Sequence, residues 1–189
     1  MKDIRLLPLR KEYLPAYAAL YESSFPPSER KELDYMLTGD KSAAYEVLVV
    51  STPARPVAGM VITVTHGHLT MLDYFAISPD LRGQGIGHAV LPLIRDRVKA
   101  SGGGHFFLEI ETPPPACIPR DPCGNPEQRV RRKAFYQSAG MVETGMRAFI
   151  YGNDMELLAF PEDAAAVTFE GYDALLRATF PADMVAERI

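Results

Sequence analysis

Apolar and polar positions change period several times along the chain, and each change marks an element. Residues 4–7 read as a short strand, and Leu14, Tyr17, Ala18 and Tyr21 recur at helical spacing across 11–23. Pro26 and Pro27 stop that helix, and Leu33, Met36 and Leu37 give a second, short one. Residues 45–50 and 57–65 are β-rich runs joined by a proline-containing turn, and 69–77 follow as a third strand. Past the breaker Ser78-Pro79-Asp80, the side chains of Ile86, Val90, Leu93, Ile94 and Val98 share one helical face. Pro92 lies inside that helix, lacks a backbone donor and predicts a kink. Residues 105–111 are a strand. Residues 112–128 hold six prolines, from Pro113 to Pro126, and predict a long loop. A helix over 127–139 ends at Gly140, and strands 146–151 and 155–160 flank the turn Gly152-Asn153-Asp154. After Pro161 one amphipathic helix is expected near 169–179. The order β α α β β β α β α β β α predicts an α+β (mixed α/β) fold, with a central mixed sheet of about seven strands flanked by helices. Residues 1–160 form the expected domain; 161–189 form a helical extension packed on it or on a partner chain, as a monomer or homodimer.

Composition narrows the function classes. The chain has 189 residues, 47% hydrophobic and 23% charged, which suits one globular domain. A net charge of -4 disfavours nucleic acid as a partner. No apolar run approaches the roughly 18 residues of a membrane span, and the charged N-terminal segment lacks a leader's apolar core. These features predict a cytoplasmic chain with no membrane partner. Cys117 and Cys123 have no Cys or His pair at zinc-site spacing, so no metal and two reduced thiols are expected.

The chemistry concentrates between the third strand and the long helix, at Arg82-Gly83-Gln84-Gly85-Ile86-Gly87. A helix start presents unpaired N–H groups and the positive end of its dipole, and glycines let those groups curl around an anion. The phosphate loop of nucleotidases needs Lys and Ser or Thr after its last glycine, where His88 and Ala89 stand. The dinucleotide fingerprint needs Gly or Ala where His88 stands, although Glu111 imitates its acidic ribose ligand. The pattern [Arg/Gln]-x-x-Gly-x-[Gly/Ala] is satisfied throughout.

On these residues the chain resembles the GNAT superfamily of acyl-CoA N-acyltransferases. The stretch from Leu72 to Gly87 is similar to that family's strand and pyrophosphate loop, and Arg132-Lys133-Ala134-Phe135-Tyr136-Gln137-Ser138-Ala139-Gly140-Met141 to its later helix. The resemblance covers roughly 43–160. It implies acetyl-CoA as co-substrate, with main-chain groups of Phe75, Ala76 and Ile77 along the pantetheine arm. It places the pyrophosphate at Arg82, Gly83, Gln84, Gly85, Ile86, Gly87 and His88. Arg129 stands where the family often has Asn, within the basic run Arg129-Val130-Arg131-Arg132, and Arg132 is the expected anchor for cofactor or loop.

The implied activity is transfer of an acetyl group to a primary amine, of a small molecule, by direct attack in a ternary complex. A phenol, with pKa about 10, stays protonated beside a thiolate of pKa about 8.5, so Tyr136 is the expected acid. Glu109 and Glu111 share one face of their strand. Glu111, nearer the strand's end, is the first choice of base, with Glu109 and Asp73 as the other candidates. Glu109, Asp73, Glu29 and Arg30 are expected at the acceptor site. Two rivals remain at this stage: a non-catalytic acyl-CoA-binding or regulatory domain of the same fold, and a nucleotide-binding enzyme using the glycine loop with Glu111.

Overall fold

A computed structural model describes residues 3–38, 43–150 and 152–179. The strands are Arg5–Pro8 (β1), Ala44–Thr52 (β2), Arg55–His66 (β3), Leu69–Ile77 (β4), His105–Glu111 (β5), Val142–Ile150 (β6) and Asn153–Ala159 (β7). They form one mixed sheet in the order β1-β2-β3-β4-β5-β7-β6. The helices are Leu14–Ser24 (α1), Leu33–Leu37 (α2), Ile86–Ala100 (α3), Pro126–Ser138 (α4), Pro161–Ala164 (α5) and Phe169–Thr179 (α6). Only β4 and β5 pair in parallel, a pairing that needs a crossover, and α3 provides it.

That parallel pair is short. It runs from Leu69 opposite His105 to Leu72 opposite Leu108 and goes no further. At the same point β4 carries one residue more than β3 can match: Leu72 faces Thr63 and Tyr74 faces Ile62, leaving Asp73 as a bulge. A bulge bends its strand and increases the local twist. Phe75–Ile77 therefore stay on β3 while parting from Glu109–Glu111. Main-chain groups on that side of β4 open into a cleft instead of a ladder.

Both sheet faces are covered. On one, Leu48, Val61, Leu72, Phe106, Leu108 and Ile110 pack against Ile86, Val90, Leu91, Ile94 and Val98 of α3 and Tyr136 of α4. On the other, Val49, Met60, Ile62 and Tyr74 lie under Tyr17, Leu20 and Tyr21 of α1. Beside them, Leu69, Met71, Phe107 and Leu157 lie under Tyr172, Leu175 and Leu176 of α6. Each such fully buried side chain contributes roughly 1.5–3 kcal/mol. The hydroxyls of Tyr35 and Tyr45 donate to the carbonyl of Thr179, at 3.0 and 3.4 Å, fixing the end of α6 against α2 and β2.

The long helix runs through Pro92 as one element. Two expectations change. β6 starts at Val142 rather than 146, because Gly145 sits at φ +81° in a bulge between Glu143 and Arg147. That irregularity on an exposed edge strand hides the alternation. Tyr151 and the tail beyond Thr179 lie outside the described residues. Finally, Cys117 and Cys123 are joined in a disulfide, not reduced, with Cα atoms 6.4 Å apart.

The proline-rich loop of 112–125 is held by charge as well as by that disulfide. Asp121 lies inside the disulfide ring, and its buried carboxylate accepts from the Arg129 guanidinium at 2.7 and 3.2 Å. It also accepts from the backbone N–H groups of Asp154 (2.8 Å) and Cys123 (2.6 Å). Burial alone would raise the Asp121 pKa; the hydrogen bonds outweigh it and hold the carboxyl below its ordinary value. Removing one partner of a buried pair strands the other, at a cost of roughly 3–5 kcal/mol. Asp121→Ala should lower the free energy of unfolding by about that amount in urea titrations. A loss under about 1 kcal/mol would mean that the loop is held by something else.

Candidate active site

The glycine turn joins β4 to α3. Gly83 and Gly85 have φ of +73° and +76°, and Gly85 is the residue that starts α3. These left-handed values favour glycine and let the chain double back into the helix within a few residues. The Ala89 N–H bond to the Gly85 carbonyl is the first of the helix, so N–H groups at Ile86, Gly87 and His88 lack intrahelical acceptors. A Cβ on Gly87 would come within 3.0 Å of the Phe135 ring, so this glycine serves the approach of α4 to α3. The Arg82 Nε donates to the Ile77 carbonyl (3.0 Å), and the Gln84 amide to the Asp80 carbonyl (3.1 Å). The His88 Nε2 and Ser138 Oγ are 2.8 Å apart, which ties α3 to α4. Open main-chain donors at a helix start, at the mouth of an unzipped strand pair, fit a pyrophosphate with a long arm behind it.

Tyr136 sits on α4 in the core that α4 shares with α3 on one face of the sheet, 9% exposed. Its hydroxyl has no hydrogen-bond partner among the described residues. Burial pushes its pKa up to about 12, against a smaller downward pull from Arg132. It is thus a protonated donor throughout the neutral range.

The carboxylates sort by their cations. Glu111 is clamped: Arg129 Nη2 reaches it at 3.1 Å and Arg132 Nη1 at 2.7 Å. Arg129 is itself 1% exposed, and Asp121, the Asn153 side chain and the Thr112 carbonyl hold it. Asp73 takes both oxygens to Lys31 Nζ, at 2.9 and 2.7 Å, with each side chain 8% exposed. Glu109, on the same side of β5 as Glu111, accepts instead from the Tyr172 hydroxyl of α6. Burial raises its pKa, the Tyr172 bond lowers it, the Asp73 charge raises it and Lys31 lowers it, and the net direction is upward. Glu29 is also raised, by burial first and then by the charge of Glu111, against Arg132 and Arg129.

These groups surround the cleft's second side. Lys31 N–H donates to the hydroxyls of Tyr21 (3.0 Å) and Tyr74 (3.1 Å), and the Tyr74 hydroxyl donates to the Glu29 carbonyl (2.7 Å). Those bonds fasten the α1–α2 connection over the bulge. Arg30, in the same connection, acts on Tyr21 through its charge alone and makes no ion pair among the described residues. The structure therefore gathers Glu29, Asp73, Glu109 and Glu111 in one place and leaves Arg30 at its edge. Arg132, the expected anchor for cofactor or loop, pairs with Glu111 at 2.7 Å. Lys31, Asp121 and Tyr172 were missed from sequence. Their partners are 42, 8 and 63 residues away, and no spacing rule signals such pairs.

Comparison with known proteins bears on the whole arrangement. The model of the GNAT acetyltransferase family matches residues 8–118. A GNAT-family protein from Bacteroides thetaiotaomicron superposes with a TM-score of 0.65 at 23% identity, over 83% of this chain and 86% of its own. The ribosomal-protein-S18-alanine N-acetyltransferase from Escherichia coli gives 0.58 at 21%, over 84% and 94%. A variant of the spermidine N-acetyltransferase from Vibrio cholerae gives 0.59 at 16%, over 82% and 94%. At these identities the superpositions speak for the fold alone. No curated protein sequence matches the chain. The family match spans more than half of the sequence, and the cleft, glycine turn and strand order agree with it: the chain belongs to the GNAT family of acetyltransferases.

Proposed function

We propose that the protein transfers an acetyl group from acetyl-CoA to the primary amine of a small molecule, by direct attack in a ternary complex. The observation that carries this reading is the parting of β4 and β5 after Leu72 and Leu108, directly ahead of the glycine turn. The turn's N–H groups, from Gly83 to His88, would hold the pyrophosphate, with the Arg82 charge beside them. Main-chain groups of Phe75, Ala76 and Ile77 would line the arm and supply the donor for charge developing on the thioester oxygen. Acetyl-CoA brings the activated acyl group; the chain's own residues orient it and move protons. Among the described residues no helix is long and apolar enough to cross a membrane.

Tyr136 gives its proton to the departing thiolate. A phenol near pKa 12 is a weaker acid than a thiol near 8.5, so it first donates a hydrogen bond to the charge developing on sulfur, and the proton crosses as burial of the departing thiolate raises its basicity. The base is Glu109 rather than Glu111. Both oxygens of Glu111 are engaged by guanidinium groups, whereas Glu109 has one neutral donor and a raised pKa. A base poised upward, nearer neutrality, is the better proton acceptor. Glu29 and the Lys31–Asp73 pair then wall the amine's approach, and Glu111 holds Arg129 and Arg132 at the cleft's rim.

Two outcomes follow. Tyr136→Phe should lower turnover roughly 100-fold or more while leaving acetyl-CoA affinity nearly unchanged. Equal turnover would remove Tyr136 from the reaction. Because Glu109 must be ionised to accept a proton, kcat/KM should rise with pH through its raised pKa. Glu109→Gln should abolish that acidic limb, and Glu111→Gln should keep it. The opposite pattern would return the base to Glu111.

A further inference from the structure

A cavity of about 460 Å³ lies between α6, the end of β6 and the proline-rich loop. Phe149, Ile150, Phe169, Tyr172 and Leu176 give it a mostly apolar wall, and Arg120 stands at its rim. Tyr172 belongs to two places at once: its ring lines this cavity and its hydroxyl donates to Glu109. The strand register agrees, since Met155 of β7 faces both Glu111 of β5 and Ala148 of β6. Ala148, which lines the cavity, thus stands two strand spacings, roughly 10 Å, from Glu111.

Its charges do not cancel. Arg147 is held by Asp154 and by the Ala116 carbonyl, and Asp173 by Arg177 at 2.8 Å. Arg120 makes no ion pair among the described residues. Its guanidinium carbon lies 3.8 Å from the centre of the Phe149 ring. Stacking uses the guanidinium's face and leaves its in-plane N–H fork for a carboxylate.

We propose that this cavity receives the body of the acceptor, and that the acceptor is a primary amine on an apolar or aromatic frame with a carboxylate at its far end, bound by Arg120. This rests on the acyl-transfer reading above, which places the amine beside Glu109. The amine end meets carboxylates, the frame meets Phe149, Tyr172 and Leu176, and the anion meets Arg120, the cation of the wall that has no ion pair among the described residues. An α-amino acid's own carboxylate lies too close to its amine to reach Arg120, so the anion must be distal.

The test compares para-aminoethylbenzoate with phenylethylamine, which differ only in the carboxylate. Calorimetric titration into the full chain with CoA present should show the acid binding about tenfold tighter or more, the usual worth of a charge-assisted pair. Arg120→Ala should collapse that ratio towards one. Equal affinities in the native protein, a ratio that survives Arg120→Ala, or no binding of either amine would overturn the proposal. Acetyl transfer is then measured with the same pair. An Arg120-dependent preference in binding without any acetylated product would leave the subsite standing and remove the acyl-transfer reading. Acetylation of both amines with equal KM would do the reverse.

Discussion

Asp73 is one residue more than β3 can match, and the site is arranged around that surplus. The bulge turns β4 out of its short parallel ladder with β5. A strand pair that unzips within a sheet leaves main-chain donors and acceptors without partners, and such groups are costly unless something else satisfies them. Here the unzipped region runs straight into a helix start that is also rich in free N–H groups. The same bulge sends Asp73 and Tyr74 to one side, where Lys31 meets both and draws the α1–α2 connection across the cleft. One local irregularity therefore opens the cleft between β4 and β5 and fastens the α1–α2 connection over it.

The second constraint is electrostatic. Several carboxylates crowd one end of the sheet, and cations are distributed among them unequally. Glu111 has two arginines, Asp121 shares one of them, and Asp73 has Lys31. Glu109 is left with a tyrosine hydroxyl. Pairing with a cation favours the charged form of a carboxyl, and burial without one favours the neutral form. The same residue type two positions apart on one face of a strand thus meets two surroundings: Glu111 is paired with cations, and Glu109 is buried beside a neutral donor and shifted towards its neutral form. The proline-rich loop takes part in this division, because Asp121 inside its disulfide ring orients the arginine that engages Glu111.

Much of the fold was legible in the sequence, because its signals are periodic and local. The hairpins, the long helix and the glycine turn each announce themselves within about ten residues. The strand β6 was shortened because Gly145 breaks its alternation at an exposed edge. The glycine turn and Tyr136 could be singled out by motif, and the two glutamates by their period. The different surroundings of Glu109 and Glu111 could not, since they depend on Tyr172, Arg129 and Arg132 arriving from other elements. Arg129 stood out in sequence only as a departure from the family's usual residue, and burial gives that departure its meaning: the guanidinium is an internal strut. The disulfide ran against the reading from composition, which carries no information on how the loop's ends meet.

The central claim is that the glycine turn and the unzipped strands hold acetyl-CoA. Calorimetric titration of the native chain and of Gly85→Glu with acetyl-CoA, with NAD as a control, tests it most directly. Acetyl-CoA should bind the native chain with micromolar affinity and should not bind a folded Gly85→Glu variant, whose side chain strains the turn and adds negative charge; NAD should give no signal. Undiminished acetyl-CoA binding by that folded variant, or no binding by the native chain, would contradict it.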